Sequence, residues 1–220
     1  MRILKNTNLM IVGMVVLVAW LLSSSLSFAD EEIENLVKGG DFEEDIDMSH
    51  WAAFSSGAAT ITMEKDKKES AVGEASLFID VTGIDPAKTW NPQFRQLPYG
   101  TAMSVEKGET YTLSMFLKAE EQRNIQLLVF QEVPSYVVRL TKTVTVGTEW
   151  EEYWVTSMIP ESSLVAMKLL NAGAGKGRYW MDGVRFYEGE YVPTEIGGPQ
   201  IAVDSRSKFT TTWGSIKAQN

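Results

Sequence analysis

Cysteine is absent from the 220-residue chain, and histidine occurs once, at His50. Without cysteine there is no disulfide staple, no thiol nucleophile and no thiolate metal site. A single histidine excludes a zinc site built from several imidazoles. Any Ser-His-Asp apparatus would depend on His50, in "DMSHWAAF" just before an expected strand, where a surface histidine is the better reading. Long apolar runs are equally scarce. One spans Leu9 to Leu22, interrupted only by Gly13, and falls short of the roughly 20 residues needed to cross a bilayer. It follows Arg2 and Lys5 and precedes Ser27-Phe28-Ala29, the pattern of a signal peptide cleaved after Ala29. An uncleaved anchor is the rival reading. A lipoprotein anchor is excluded, because no cysteine follows the run. The chain is expected to be secreted or extracytoplasmic.

Basic residues are outnumbered, 20 Lys and Arg against 29 Asp and Glu. Removing Arg2 and Lys5 with the leader leaves 18 basic residues and a formal charge of about −11. Such a surface disfavours nucleic acid and anionic membranes, which both select clustered Lys and Arg. It favours neutral or cationic partners and divalent cations. A mature part of about 191 residues suits one domain with an extension, able to bury a core without staples.

Helical periodicity is scarce too. "ETYTLSMFLKA" (109–119) alternates, with Tyr111, Leu113, Met115 and Leu117 on one face and Phe116 and Lys118 on the other. "ASLFIDV" (75–81), "NIQLLVFQ" (124–131), "SYVVRLTKTVTV" (135–146), "EEYWVTSMI" (151–159) and "RYWMDGVRFYE" (178–188) are similar runs. Turn-forming segments such as "EKGE" and "TVGTE" separate them, and "GAGKG" (173–177) reads as a hairpin loop without the spacing of a phosphate cradle. Short strands so spaced predict an all-β, two-sheet antiparallel β-sandwich. Residues 30–190 form the expected domain. "YVPTEIGGPQIAVDSRS" (191–207) reads as a linker, and 208–220 as a tail of unknown role.

Two places carry chemistry that a plain sandwich does not need. In "AKTWNPQFRQL" (87–97), Trp90 and Phe94 stand among Asn91, Gln93, Arg95 and Gln96. That mixture suits an aromatic plate with a polar rim, or a half-buried turn in which the aromatics are core or hinge residues. Pro92 argues for an edge strand or an irregular start. Arg95 shares a face with Gln93 if the strand is regular. Asp182 interrupts the apolar run "YWMDGV", and a buried lone carboxylate needs a partner. A hard cation such as calcium would supply one. The alternative is that Asp182 caps a bulge while Glu43 is solvated.

Four stretches in this order resemble a known family: "NLVKGGDFEE" (35–44), "VEKGETYTLSMFLKAEE" (105–121), "TEWEEYWV" (148–155) and "YWMDGVRF" (179–186). They are similar to the carbohydrate-binding modules of families 4, 9 and 22, the CenC-type accessory modules of bacterial glycoside hydrolases. The resemblance spans about residues 33–189 and departs at Gly39, where the family has Asn. It implies a galactose-binding-like jelly roll with a polysaccharide or oligosaccharide partner. It also implies a structural calcium held by the Asp41 carbonyl, Glu43 and Asp182, with Glu69 as a further ligand.

The resemblance also implies a Trp-x-x-Gln strand across a concave face, which would correspond to Trp90 as stacking plate and Gln93 as hydroxyl partner. Arg95 and one of Gln126 or Gln131 would assist. These glutamines fall on opposite faces of a regular strand, so both serve only if a bulge intervenes. Tyr136, Arg139 and Trp154 are weaker candidates. A non-catalytic binder is expected. A structural or adhesion sandwich and a small glycoside hydrolase are the other readings, the last disfavoured because the acids cluster in turns.

Overall fold

The computed structural model describes residues 33–88, 90–171 and 175–194. Eleven strands occur among them: β1 (Trp51–Phe54), β2 (Thr60–Asp66), β3 (Ser76–Gly83), β4 (Gln93–Gln96), β5 (Met103–Val105), β6 (Thr110–Ala119), β7 (Arg123–Gln131), β8 (Val137–Val146), β9 (Glu151–Met158), β10 (Ser163–Leu170) and β11 (Gly177–Glu188). A single 3-10 turn, Asp45–His50, precedes β1. One sheet runs β1-β4-β10-β7-β8, with β5 also paired to β10. The other runs β2-β3-β11-β6-β9. Every pairing is antiparallel. The expected sandwich is present.

Alternation decides what the two sheets enclose. Tyr111, Leu113, Met115 and Leu117 of β6 are buried in one cluster with Leu77, Ile79 and Val81 of β3. Phe94, Leu127, Val129, Val165, Met167 and Leu169 join that cluster from the first sheet. Successive strand residues point to opposite faces, so this core claims every second side chain and sends the alternates outward. Burying a large side chain of this kind stabilises by about 1.5–3 kcal/mol, and the core accounts for most of the fold's stability.

Residues 33–39 have no regular strand, yet they lie along β11. Leu36 N–H donates to the Phe186 carbonyl (2.7 Å), and Asn35 bridges the Val184 carbonyl and Phe186 N–H (both 3.0 Å). Gly40 follows, and its carbonyl accepts from Val184 N–H at 2.9 Å. A Cβ at Gly40 would stand 2.4 Å from the Val184 carbonyl oxygen, so only glycine allows this approach. Trp51 then donates its indole N–H to the Gly39 carbonyl (2.7 Å) and stacks on Phe94 (5.1 Å).

Other expectations change. Pro92 lies outside β4, and β4 is no edge, since β1 and β10 flank it. No hairpin pairs β10 with β11, which belong to different sheets, and part of "GAGKG" lies outside the described residues. The linker expected from 191 is docked at its start. Arg185 donates to the Val192 carbonyl (2.6 Å), and Tyr191 and Thr194 both donate to Glu152. The signal segment, the remaining linker and the tail lie outside the described residues.

Gly40→Ala should lower the melting temperature by roughly 4–8 °C, the effect of about 2 kcal/mol of overpacking in a domain this size. An unchanged melting curve would show that the Gly40–Val184 approach is dispensable.

Candidate functional site

Register assigns the outward face of the first sheet. Arg95 lies opposite Ala52 on β1 and Lys168 on β10, while Gln93 lies opposite Phe54 and Leu170. Gln93 and Arg95 therefore share the face away from the core, as expected. Phe94 points the other way into the core. So does Gln96, whose side-chain carbonyl accepts from Met167 N–H at 3.3 Å. On β7 the same outward row holds Gln126, Leu128 and Phe130, facing Leu170, Lys168 and Ala166.

This face is an alternation of rings and cations. The Arg95 guanidinium lies 4.0 Å from the Phe54 ring and 4.5 Å from Tyr99. The Lys168 ammonium lies 4.3 Å from Phe130, 4.8 Å from Tyr136 and 5.8 Å from Tyr99. Tyr136 is half exposed, whereas Lys168 is only 5% exposed. Burial lowers the lysine's pKa, with Glu132 opposing and Arg95 reinforcing that shift. Burial also raises the Tyr99 and Tyr136 phenols, which stay neutral. The face retains bonding capacity, since buried Gln93 Oε1, Arg95 Nε and Glu132 Oε2 have no hydrogen-bond partner among the described residues.

The predicted ligand-contacting residues are only partly gathered. Trp90 sits in the turn before β4, not on a strand, and is 44% exposed with Lys88 5.9 Å from its ring. Asn91 donates to the Ser56 carbonyl (2.5 Å) and so ties this turn to the chain beyond β1. Gln126 is outward and donates to Thr141 (3.0 Å). Gln131 belongs to another group at the strand end, where it donates to the Val133 carbonyl (2.9 Å) and accepts from Arg139, itself paired with Glu161 (3.5 Å). A bulge does intervene, opposite Val129 and Phe130, but on the β8 side at Arg139. Trp154 lies in the other sheet, stacked on Tyr191 (4.0 Å). Sequence reasoning missed Phe54, Tyr99, Phe130, Glu132 and Lys168. Only the parity of β7 pointed toward Phe130.

The proposed metal ligands divide in two. Asp182 is fully buried on the outer side of β11. Its Oδ2 accepts from Ala71 and Val72 N–H (2.8 and 3.0 Å), and its Oδ1 from Gly183 N–H (2.7 Å). Gly183, at φ +53°, forms the bulge that turns its N–H back. Glu43 Oε1 accepts from Glu74 and Ala75 N–H (2.8 and 3.2 Å). Burial pushes the Asp182 carboxyl up to about 7 despite these bonds, and the Glu43 charge adds to the rise. Asp41 is raised as well, by burial and then by Asp47. Glu69 stands apart, its carboxylate paired with Lys118 at 2.8 Å.

Among the described residues no three His, Cys, Asp or Glu side chains are disposed around one metal position. Glu43 and Asp182 do suit a hard cation, because two neighbouring carboxylates disfavour each other's charge until one is present. Backbone carbonyls would have to complete the shell.

The comparisons with known proteins agree with this architecture. The family described as carbohydrate binding domain, CBM_4_9, matches residues 34–168, and the chain belongs to it. It is a sugar-binding domain by family. No curated protein matches the chain. A solved CBM4 superposes with a TM-score of 0.54 at 19% identity, covering 70% of this chain and 99% of that one. The CBM22-1 xylan-binding domain from Paenibacillus barcinonensis Xyn10C gives 0.52 at 15%, covering 73% and 97%. The family 11 module of Clostridium thermocellum Lic26A-Cel5E gives 0.50 at 12%, covering 73% and 98%. At these identities the structural likenesses establish the fold.

Asp182 generates a pH dependence whose sign is fixed. Its folded pKa of about 7 exceeds the ordinary 3.8, so between those values the native state holds more protons than the unfolded state. Its contribution is fully present below about 4 and lost as pH rises through 7. With chelator present, the stability difference between the native sequence and Asp182→Asn should shift against the native sequence over that range, as read by melting temperature at pH 4 to 8. A pH-independent difference would mean that the carboxyl ionises normally.

Proposed function

We propose that this is an exported, non-catalytic carbohydrate-binding protein that holds a glycan against the outward face of the β1-β4-β10-β7-β8 sheet. The observation that carries this reading is the shared face of Gln93 and Arg95, set among Phe54, Tyr99 and Tyr136. Sugar rings present apolar C–H faces and hydroxyl edges. Exposed rings pack the former, while amide and guanidinium groups bond the latter. Trp90 stands at the approach to β4 and supplies a further stacking plate at the rim. Gln126 lies on the same outward face two strands away. The similarity to a xylan-binding domain supports a β-linked glycan as ligand.

The leader pattern at 1–29 supports export, and no helix of the described residues is long and apolar enough to cross a membrane. Calcium at the Asp41 carbonyl, Glu43 and Asp182 would be structural. It would neutralise the paired carboxylates and tie the opening segment to β11, on the far sheet from the sugar.

Two measurements test this. In a screen against soluble and insoluble polysaccharides, Trp90→Ala should weaken binding about tenfold, the loss of one stacking contact, with its melting temperature unchanged. Phe94→Ala should instead unfold the domain by about 3–5 kcal/mol. A well-folded protein that binds no glycan would leave a structural sandwich as the function. Separately, calcium should raise the melting temperature and chelator lower it, with Glu43→Gln abolishing the response. No response in the native sequence would remove calcium from this reading.

A further inference from the structure

The outward face holds two cations where neutral sugar binding needs none. Arg95 and Lys168 are directly opposed across β4 and β10. Side chains so placed have Cβ atoms about 4.5–5.5 Å apart, and like charges there are destabilising. Neither cation lies within ion-pair distance of a carboxylate among the described residues, whereas buried Arg185 of the opposite sheet has Glu152 at 2.8 Å. Aromatic rings surround both instead, Phe54 and Tyr99 about Arg95 and Phe130 and Tyr136 about Lys168. Rings stabilise a cation without neutralising it. Arg95 Nε is left buried without a partner. Glu132 is the carboxylate whose charge Lys168 feels, and it leaves its own Oε2 unpartnered. In a chain of net charge −9, this is a cationic pair on the proposed ligand face with no salt bridge to a carboxylate among the described residues.

We infer that the face recognises an acidic glycan, with a uronic acid carboxylate received between Arg95 and Lys168 while Tyr99 and Tyr136 pack against the ring that bears it. A guanidinium offers a planar fork matched to a carboxylate, and an adjacent ammonium adds a point charge. Low exposure of the lysine strengthens the pairing, because water screens it less. This deepens the sugar-binding reading and rests on it.

The test uses pairs of glycans that differ only at the carboxyl: polygalacturonate against its methyl ester, and glucuronoxylan against the same polymer carboxyl-reduced. The full mature chain should bind the acidic member of at least one pair about tenfold more tightly or better, the worth of one charge-assisted contact. That preference should shrink as salt rises from 0.05 to 0.5 M. Lys168→Met keeps the aliphatic stem between the rings and should abolish the preference, as should Arg95→Gln, which serves if the first variant does not fold. Equal affinity for acidic and neutral members would overturn the inference while leaving sugar binding intact. Binding to neither would remove both.

Discussion

The fold depends on one buried carboxylate. Asp182 sits fully enclosed where the last strand bulges, and three backbone N–H groups converge on it from two different parts of the chain. Two of those groups belong to Ala71 and Val72, which with Phe116 cover the outer side of the second sheet. Glu43 holds the neighbouring Glu74 and Ala75 in the same way. The segment from 71 to 75 is thus pinned by carboxylates from the opening and closing parts of the domain. A buried charge placed in this manner is costly unless its hydrogen bonds are complete. That cost explains why the Asp182 carboxyl holds its proton to higher pH than an ordinary aspartate.

Because Asp182 and the segments it ties cover the second sheet, the two sheets differ in what they offer. The second has its outer side occupied by the 71–75 segment, by the Trp154–Tyr191 stack and by the docked residues 191–194. On the first sheet Tyr136 is half exposed and Arg95 and Tyr99 are partly exposed among the described residues. The proposed binding chemistry and the structural chemistry therefore lie on opposite sides of one core. Substitution on either side reads out differently, as affinity or as stability.

Much of this organisation was legible along the chain. The two-residue alternation in 109–119 marked Tyr111, Leu113, Met115 and Leu117 as core, and the structure buries all four. The motifs around Gly40, Lys118, Tyr153 and Asp182 identified the family. The strand that carries Lys168 was not legible. "SLVAMKLL" has one β-branched residue among Leu, Ala, Met and Lys, which favour helix, and as an interior strand it is apolar on both faces. Its period is masked, and its lysine reads as an ordinary surface charge. Trp90 was misplaced onto a strand because the spacing Trp-x-x-Gln says nothing about where a strand begins after proline.

Local pattern reports which side chains a strand turns inward, because that depends only on residues two apart. It therefore determined the sandwich, the core positions and the shared facing of Gln93 and Arg95. Which side chains meet across strands depends on register between segments far apart in sequence. Arg95 and Lys168 lie 73 positions apart, yet the β4–β10 pairing sets them opposite each other. Pairing also brought the rings around them and put Asp182 against Ala71 and Val72. Those contacts exist only after the sheets form, since no short-range preference along the chain encodes them.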